Sequence, residues 1–125
     1  MIVDTNALSA IADGDSEIEE FIERASLVAI PVIVLGEYRF GIMQSKRRTQ
    51  HERWLRESLP SYRILDLTEE TSQHYAALRV ELKRTGKPIP SNDLWIAALC
   101  RQHDLSILSR DRHFDLVPGI ERIDW

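Results

Sequence analysis

The chain has 125 residues, of which 43% are hydrophobic and 29% charged, with a formal net charge of −4. These values exclude a disordered chain and a uniformly basic nucleic-acid coat, so any nucleic-acid contact must come from a local patch. Its one cysteine, Cys100, excludes an internal disulfide framework and a thiolate zinc cage.

In chain order, Ile2-Val3-Asp4 predicts a very short strand, and the residues around it carry neither a basic leader nor an apolar signal core. A helix is expected from about Asn6 to Ala12, closed by Asp13-Gly14-Asp15. Ser16 with Glu19 reads as a capping box for a second helix reaching Arg24. Leu27–Ile30 reads as a buried parallel strand. The most apolar stretch, Leu27 to Leu35, is too short to cross a bilayer, and a cytoplasmic protein is expected.

Pro31 to Gln44 predicts a helix with proline in its first turn, although Val32-Ile33-Val34 also suits a strand. Lys46 to Ser58 reads as a polar, basic helix stopped by Pro60, and Tyr62–Asp66 as a strand. Thr68 caps a helix with Glu69 and Glu70 in its first turn, ending before Gly86. Ser91 is expected to cap the next helix, which contains Asp93 to Gln102 and is apolar nearly all round, hence central and buried, with Trp95 in the core. Ser106–Ser109 and Ile120–Asp124 read as the last strands. Without a linker, repeat or low-complexity tract, residues 1–125 form one α/β domain with a mostly parallel sheet.

Four acids occupy places where a merely solvating charge is unexpected. Asp4 and Asp111 follow apolar strands, and the carboxyl ends of parallel strands form the ligand crevice. Glu37 has Ile33, Val34, Phe40 and Gly41 as its helical neighbours, which puts a carboxylate on an apolar stripe. Asp93 opens the buried helix. Each also has a plain structural reading: a turn or cap for Asp4, a first-turn acid for Asp93, an arginine partner for Glu37, a loop charge for Asp111. Together they can converge on one edge of one sheet. Carboxylates brought together repel unless a cation joins them, and an oxygen-rich shell suits Mg²⁺ or Mn²⁺.

Four segments carry a resemblance to a known family. Ile2-Val3-Asp4-Thr5-Asn6, Pro31-Val32-Ile33-Val34-Leu35-Gly36-Glu37 with Phe40-Gly41, Pro90-Ser91-Asn92-Asp93-Leu94-Trp95-Ile96-Ala97-Ala98 and Leu108-Ser109-Arg110-Asp111-Arg112-His113-Phe114 resemble, in order, the acidic segments of PIN domains. The length resembles the VapC toxins of toxin–antitoxin pairs. The resemblance implies a three-layer α/β/α fold with a central parallel sheet. It implies a metal-dependent endoribonuclease acting on structured cellular RNA (tRNA, rRNA or mRNA), leaving a 5′-phosphate and a 3′-hydroxyl. It further implies inhibition by a cognate VapB-like antitoxin, and a homodimer.

By motif position Asp4, Glu37, Asp93 and Asp111 form the acidic quartet. Asp4, Asp93 and Asp111 would hold Mg²⁺ or Mn²⁺, with Glu37 completing the shell or orienting the attacking water. Thr5, Asn6 and Ser109 are the expected hydrogen-bonding supports of those carboxylates, and Asp115 matches a less regular acidic position. Cations must offset the repulsion between RNA and the quartet. Lys46, Arg47 and Arg48 form the densest basic run, and Arg110 and Arg112 flank Asp111. Tyr38, Phe40 and Trp54 are candidate stacking partners for bases, with core packing favoured for Phe40.

The histidines His51, His74, His103 and His113 show no metal-ligand spacing. Two other readings stay open. One is an aspartate-based phosphohydrolase, which would want a second aspartate where Asn6 stands. The other is a non-catalytic module using the same fold to hold a partner.

Overall fold

The strands are short because each crosses the core only once, and their residues are aliphatic because both faces of a parallel sheet are covered. The computed structural model describes residues 1–125. Its strands are β1 (Ile2–Val3), β2 (Ala29–Pro31), β3 (Arg63–Leu65), β4 (Ile107–Leu108) and β5 (Arg122–Ile123). All neighbouring pairs are parallel, in the order β3-β2-β1-β4-β5. The helices are α1 (Thr5–Ala12), α2 (Ser16–Arg24), α3 (Val32–Met43), α4 (Arg48–Ser58), α5 (Glu69–Arg84) and α6 (Ser91–His103). Three-residue and five-residue 3₁₀ turns add Leu59–Ser61 and Arg112–Leu116. This is the expected α/β architecture, a parallel sheet flanked by helices.

The strand order sets the position of the site. From β1 the chain builds outward through β2 and β3, then returns to build β4 and β5 on the other side. Order therefore reverses between β1 and β4, and a crevice opens at the carboxyl ends of these two strands. Asp4 follows β1, and Ser109 follows β4.

Local chemistry fixes the helix starts, with some departures from the sequence reading. Asp4 caps α1, its Oδ1 accepting from the Ala7 N–H at 2.8 Å. The cap of α2 is Asp15, which accepts from Glu17 N, so Ser16 is the first helical residue and not the cap. Aspartate is the stronger acceptor of the two, and it is charged against the positive end of the helix dipole. Pro31 precedes α3 and Pro90 precedes α6, neither with a side-chain cap, and Ser91 lies inside α6. Thr68 caps α5 as expected, in a capping box completed by Thr71. Pro60 does not stop the chain abruptly, since it lies within the 3₁₀ turn that follows α4.

Ile2, Val3, Ile30, Leu99, Ile107 and Leu108 are fully buried or nearly so. Helix α6 buries Leu94, Ile96, Ala97, Ala98, Leu99 and Cys100, as its composition predicts. Trp95 is only half-buried, stacked on Tyr75 of α5 at 3.9 Å between ring centroids. Helix α3 corrects the sequence reading. Its buried face is Val34, Tyr38 and Ile42, spaced four apart, and Phe40 is 65% exposed. Glu37 consequently sits half-buried at the margin of that face.

These positions separate by mutation. Leu99→Ala lowers unfolding free energy by about 2–5 kcal/mol, read as a lower urea midpoint at unchanged slope. Phe40→Ser stays within about 0.5 kcal/mol of wild type. Equal losses at the two positions would contradict the assigned face of α3.

Candidate active site

A wholly parallel sheet delivers every strand's carboxyl end to one edge, and α1, α3 and α6 begin at that edge. Asp4 is 5% exposed. Its second oxygen accepts a hydrogen bond from the Ser109 hydroxyl, across the β1–β4 reversal. The same Ser109 oxygen accepts from the Asp111 N–H at 2.9 Å. One hydroxyl thus ties the residue after β1 to the loop after β4.

Glu37 comes to the edge from the second turn of α3. Its Oε2 accepts from the Thr5 hydroxyl and its Oε1 from the Asn92 amide, each at 2.6 Å. No arginine pairs with it. Asp93, in the first turn of α6, faces the loop after β4. There His113 Nδ1 lies 3.2 Å from Asp93 Oδ2 and 3.0 Å from Asp111 Oδ1.

The electrostatics follow from this crowding. Burial pushes the Asp4 carboxyl above its ordinary range, against the hydrogen bonds from Ser109 and Ala7, and the charges of Asp111 and Glu37 push the same way as burial. Burial, then the Asp111 carboxylate, pushes Asp93 up to about 6, opposed by His113. Such a cluster lacks positive charge. One ligating atom from each of Asp93, Asp111 and His113 falls within 4.8 Å of the others. Adjacent donors in an octahedral shell with bonds of ~2.1 Å lie ~3 Å apart, so the separations fit a small divalent ion. Two carboxylates and an imidazole are a donor set that Mn²⁺ accepts readily.

A model of the PIN domain family matches residues 1–120. The ribonuclease VapC2 of Rickettsia felis is 28% identical over 107 residues, 85% of this chain and 80% of that one. The VapC ribonuclease Y4jK of Sinorhizobium fredii is 31% identical over 121 residues, 89% of this chain and 86% of that one. The crystal structure of VapBC2 from Rickettsia felis bound to a DNA fragment from their promoter has a TM-score of 0.90 at 25% identity, covering 99% of this chain and 97% of that one. The chain belongs to the PIN domain family. Nucleases of the PIN type use divalent metal ions, and the acidic cluster needed for one is present here.

Within this PIN domain the supporting residues sort differently from the sequence reading. Thr5 and Ser109 bond carboxylates of the cluster. Asn6 is exposed and makes no such bond. Asn92 takes that part instead, and the sequence signal was its place one residue before Asp93. Asp115 is held by the Arg122 guanidinium, at 2.7 and 3.1 Å, which lowers its pKa. Arg122 also donates to the Ser109 carbonyl at 2.9 Å, so Asp115 braces Ser109 through a cation.

His113 was set aside for want of ligand spacing. The fold supplies what spacing could not, because the turn capped by Asp111 brings the ring against Asp93. Among the candidate RNA-binding cations, Arg110 is engaged with the Trp125 carbonyl at 3.0 and 3.1 Å and lies over its ring at 4.4 Å. Arg47 bonds Gln50 and Arg48 bonds Glu52, on exposed surface. Lys46 and Arg112 are exposed, with no ion pair. No helix is long and apolar enough to cross a membrane.

The raised carboxyl has a measurable sign. Native Asp93 holds its proton more tightly than an unfolded aspartate, so metal-free protein loses stability as pH rises from 3.8 to about 6 and does not regain it above. In chelator at pH 7.5, Asp93→Asn should therefore melt higher than wild type, by about 1 kcal/mol after solvent screening or roughly 3–5 °C. The gain should vanish near pH 4. A variant that melts lower at both pH values would contradict the crowding.

Proposed function

We propose that this chain is the toxin of a toxin–antitoxin pair, a divalent-metal-dependent endoribonuclease neutralised by a VapB-like antitoxin. The observation that carries the reading is the convergence of Asp4, Glu37, Asp93 and Asp111 on one sheet edge, in a chain whose relatives are named VapC ribonucleases. Structured cellular RNA is the substrate, in the cytoplasm, and the working species is a homodimer.

Asp4, Asp93 and Asp111 would hold Mg²⁺ or Mn²⁺, with His113 as a nitrogen donor. When bound, such an ion supplies an acidified water and charge neutralisation at phosphorus. The residues of the chain do the rest. Glu37 keeps lone pairs free beyond the Thr5 and Asn92 bonds and orients the attacking water, accepting its proton. Ser109 fixes Asp4 and the Asp111 backbone together, so that the carboxylates keep their spacing. Lys46, Arg47 and Arg48 at the start of α4, with Arg112, draw the RNA backbone toward an otherwise anionic edge.

Purified protein free of antitoxin is incubated with total cellular RNA and new 5′ ends are mapped. Discrete ends bearing 5′-phosphate are expected with Mn²⁺ or Mg²⁺ and none in chelator. Asp93→Asn should lose more than the roughly 100-fold that removing a supporting residue can cost, and Thr5→Val about 10–100-fold. Cleavage that persists in chelator, or 2′,3′-cyclic phosphate ends, would sink the metal mechanism.

A further inference from the structure

Beside the acidic centre lies a second feature that the metal chemistry does not use. A cavity of about 260 Å³ is lined by Thr5, Ser9, Asp13, Glu37, Tyr38 and His51, among others. It shares Thr5 and Glu37 with the acidic centre and extends away from it along α1, α3 and α4. Tyr38 is 7% exposed, and its hydroxyl is buried with no hydrogen-bond partner. A buried polar group is normally paired, so an orphan on a cavity wall points to a ligand. Burial and the Asp13 charge both raise the Tyr38 pKa, so its hydroxyl keeps its proton and lies within electrostatic reach of that carboxylate. Asp13 ends α1, is exposed, and makes no side-chain hydrogen bond or ion pair. Both Glu37 oxygens already accept bonds.

We propose that this cavity is a guanine-binding subsite for the nucleotide next to the scissile phosphate, an assignment that rests on the ribonuclease reading. Bases of single-stranded RNA are read on their Watson–Crick edges. Guanine presents two adjacent donors there, N1–H and the N2 amino group, beside the O6 acceptor. The Asp13 carboxylate accepts from both donors, and the Tyr38 hydroxyl donates to O6. Adenine and cytosine would set a ring-nitrogen acceptor against the carboxylate, and uracil has one donor between two carbonyls. A guanidinium group has donors only, so an arginine from a peptide would leave the Tyr38 proton unpaired. The volume lies below the ~300 Å³ where pockets for drug-sized ligands begin, which suits a single base.

The test pairs binding with cleavage, using Mn²⁺-loaded protein. Guanosine, adenosine, cytidine and uridine 5′-monophosphates and N-acetyl-arginine amide are titrated separately. RNA hairpins varied at the nucleotides flanking the cut are cleaved in single turnover. The guanine nucleotide should bind roughly 10–100-fold tighter than the other nucleotides, the range for one bidentate base contact. Asp13→Asn and Tyr38→Phe should remove that preference in binding and in cleavage, with Mn²⁺ affinity and melting temperature retained. Equal nucleotide affinities with RNA still cleaved would overturn the subsite and leave the ribonuclease reading standing. Tighter binding of the arginine amide than of the guanine nucleotide would also overturn it. Guanine-selective binding with no RNA cleaved would support the subsite and overturn the ribonuclease reading.

Discussion

Carboxylates crowded at the carboxyl edge of a parallel sheet carry a standing electrostatic cost, and the organisation of this molecule is largely a response to it. Asp4 is buried, Asp93 faces Asp111, and Glu37 lies close enough to raise the Asp4 pKa. Hydrogen bonds from Ser109, Ala7, Thr5 and Asn92 stabilise the charged forms, and the His113 ring sits between two of the acids. These contacts offset the repulsion without removing it, since Asp4 and Asp93 both remain raised. What is missing is a concentrated positive charge, which a divalent ion provides.

The fold makes this crowding achievable with very little chain. Strands of two or three residues suffice because each needs only to reach the edge. The reversal of strand order between β1 and β4 opens the crevice that the cluster occupies. Rigidity comes from the fully buried strand residues and from the buried face of α6, which carries Asp93 in its first turn. The Asp115–Arg122–Ser109 chain adds a polar brace from β5. Precision at the edge therefore derives from packing several residues away from it.

Much of this was legible in the sequence. Aliphatic pairs followed by Asp4 and by Ser109-Arg110-Asp111 mark strand ends, and the position of an acid at a strand end needs no tertiary information. Periodicity was less informative for α3, which is apolar on several sides. Its face was set by Tyr38 packing edge-on against Trp54 at 6.1 Å, a contact between two helices that no local pattern encodes. His113 and Asn92 were missed for a related reason. Each acts through a residue brought from another element, and spacing along the chain carries no signal of that. The α2 cap was misassigned between adjacent polar residues, where aspartate and serine compete for the same N–H.

The account is tested most directly by titrating the metal-free protein with Mn²⁺ calorimetrically at pH 6, in buffers of different ionisation enthalpy. With Asp93 raised to about 6, binding should release about half a proton per ion, falling toward zero at pH 8. Asp111→Asn should abolish the binding heat. No binding at millimolar Mn²⁺, or binding unchanged in Asp111→Asn, would contradict a divalent-ion site at this sheet edge.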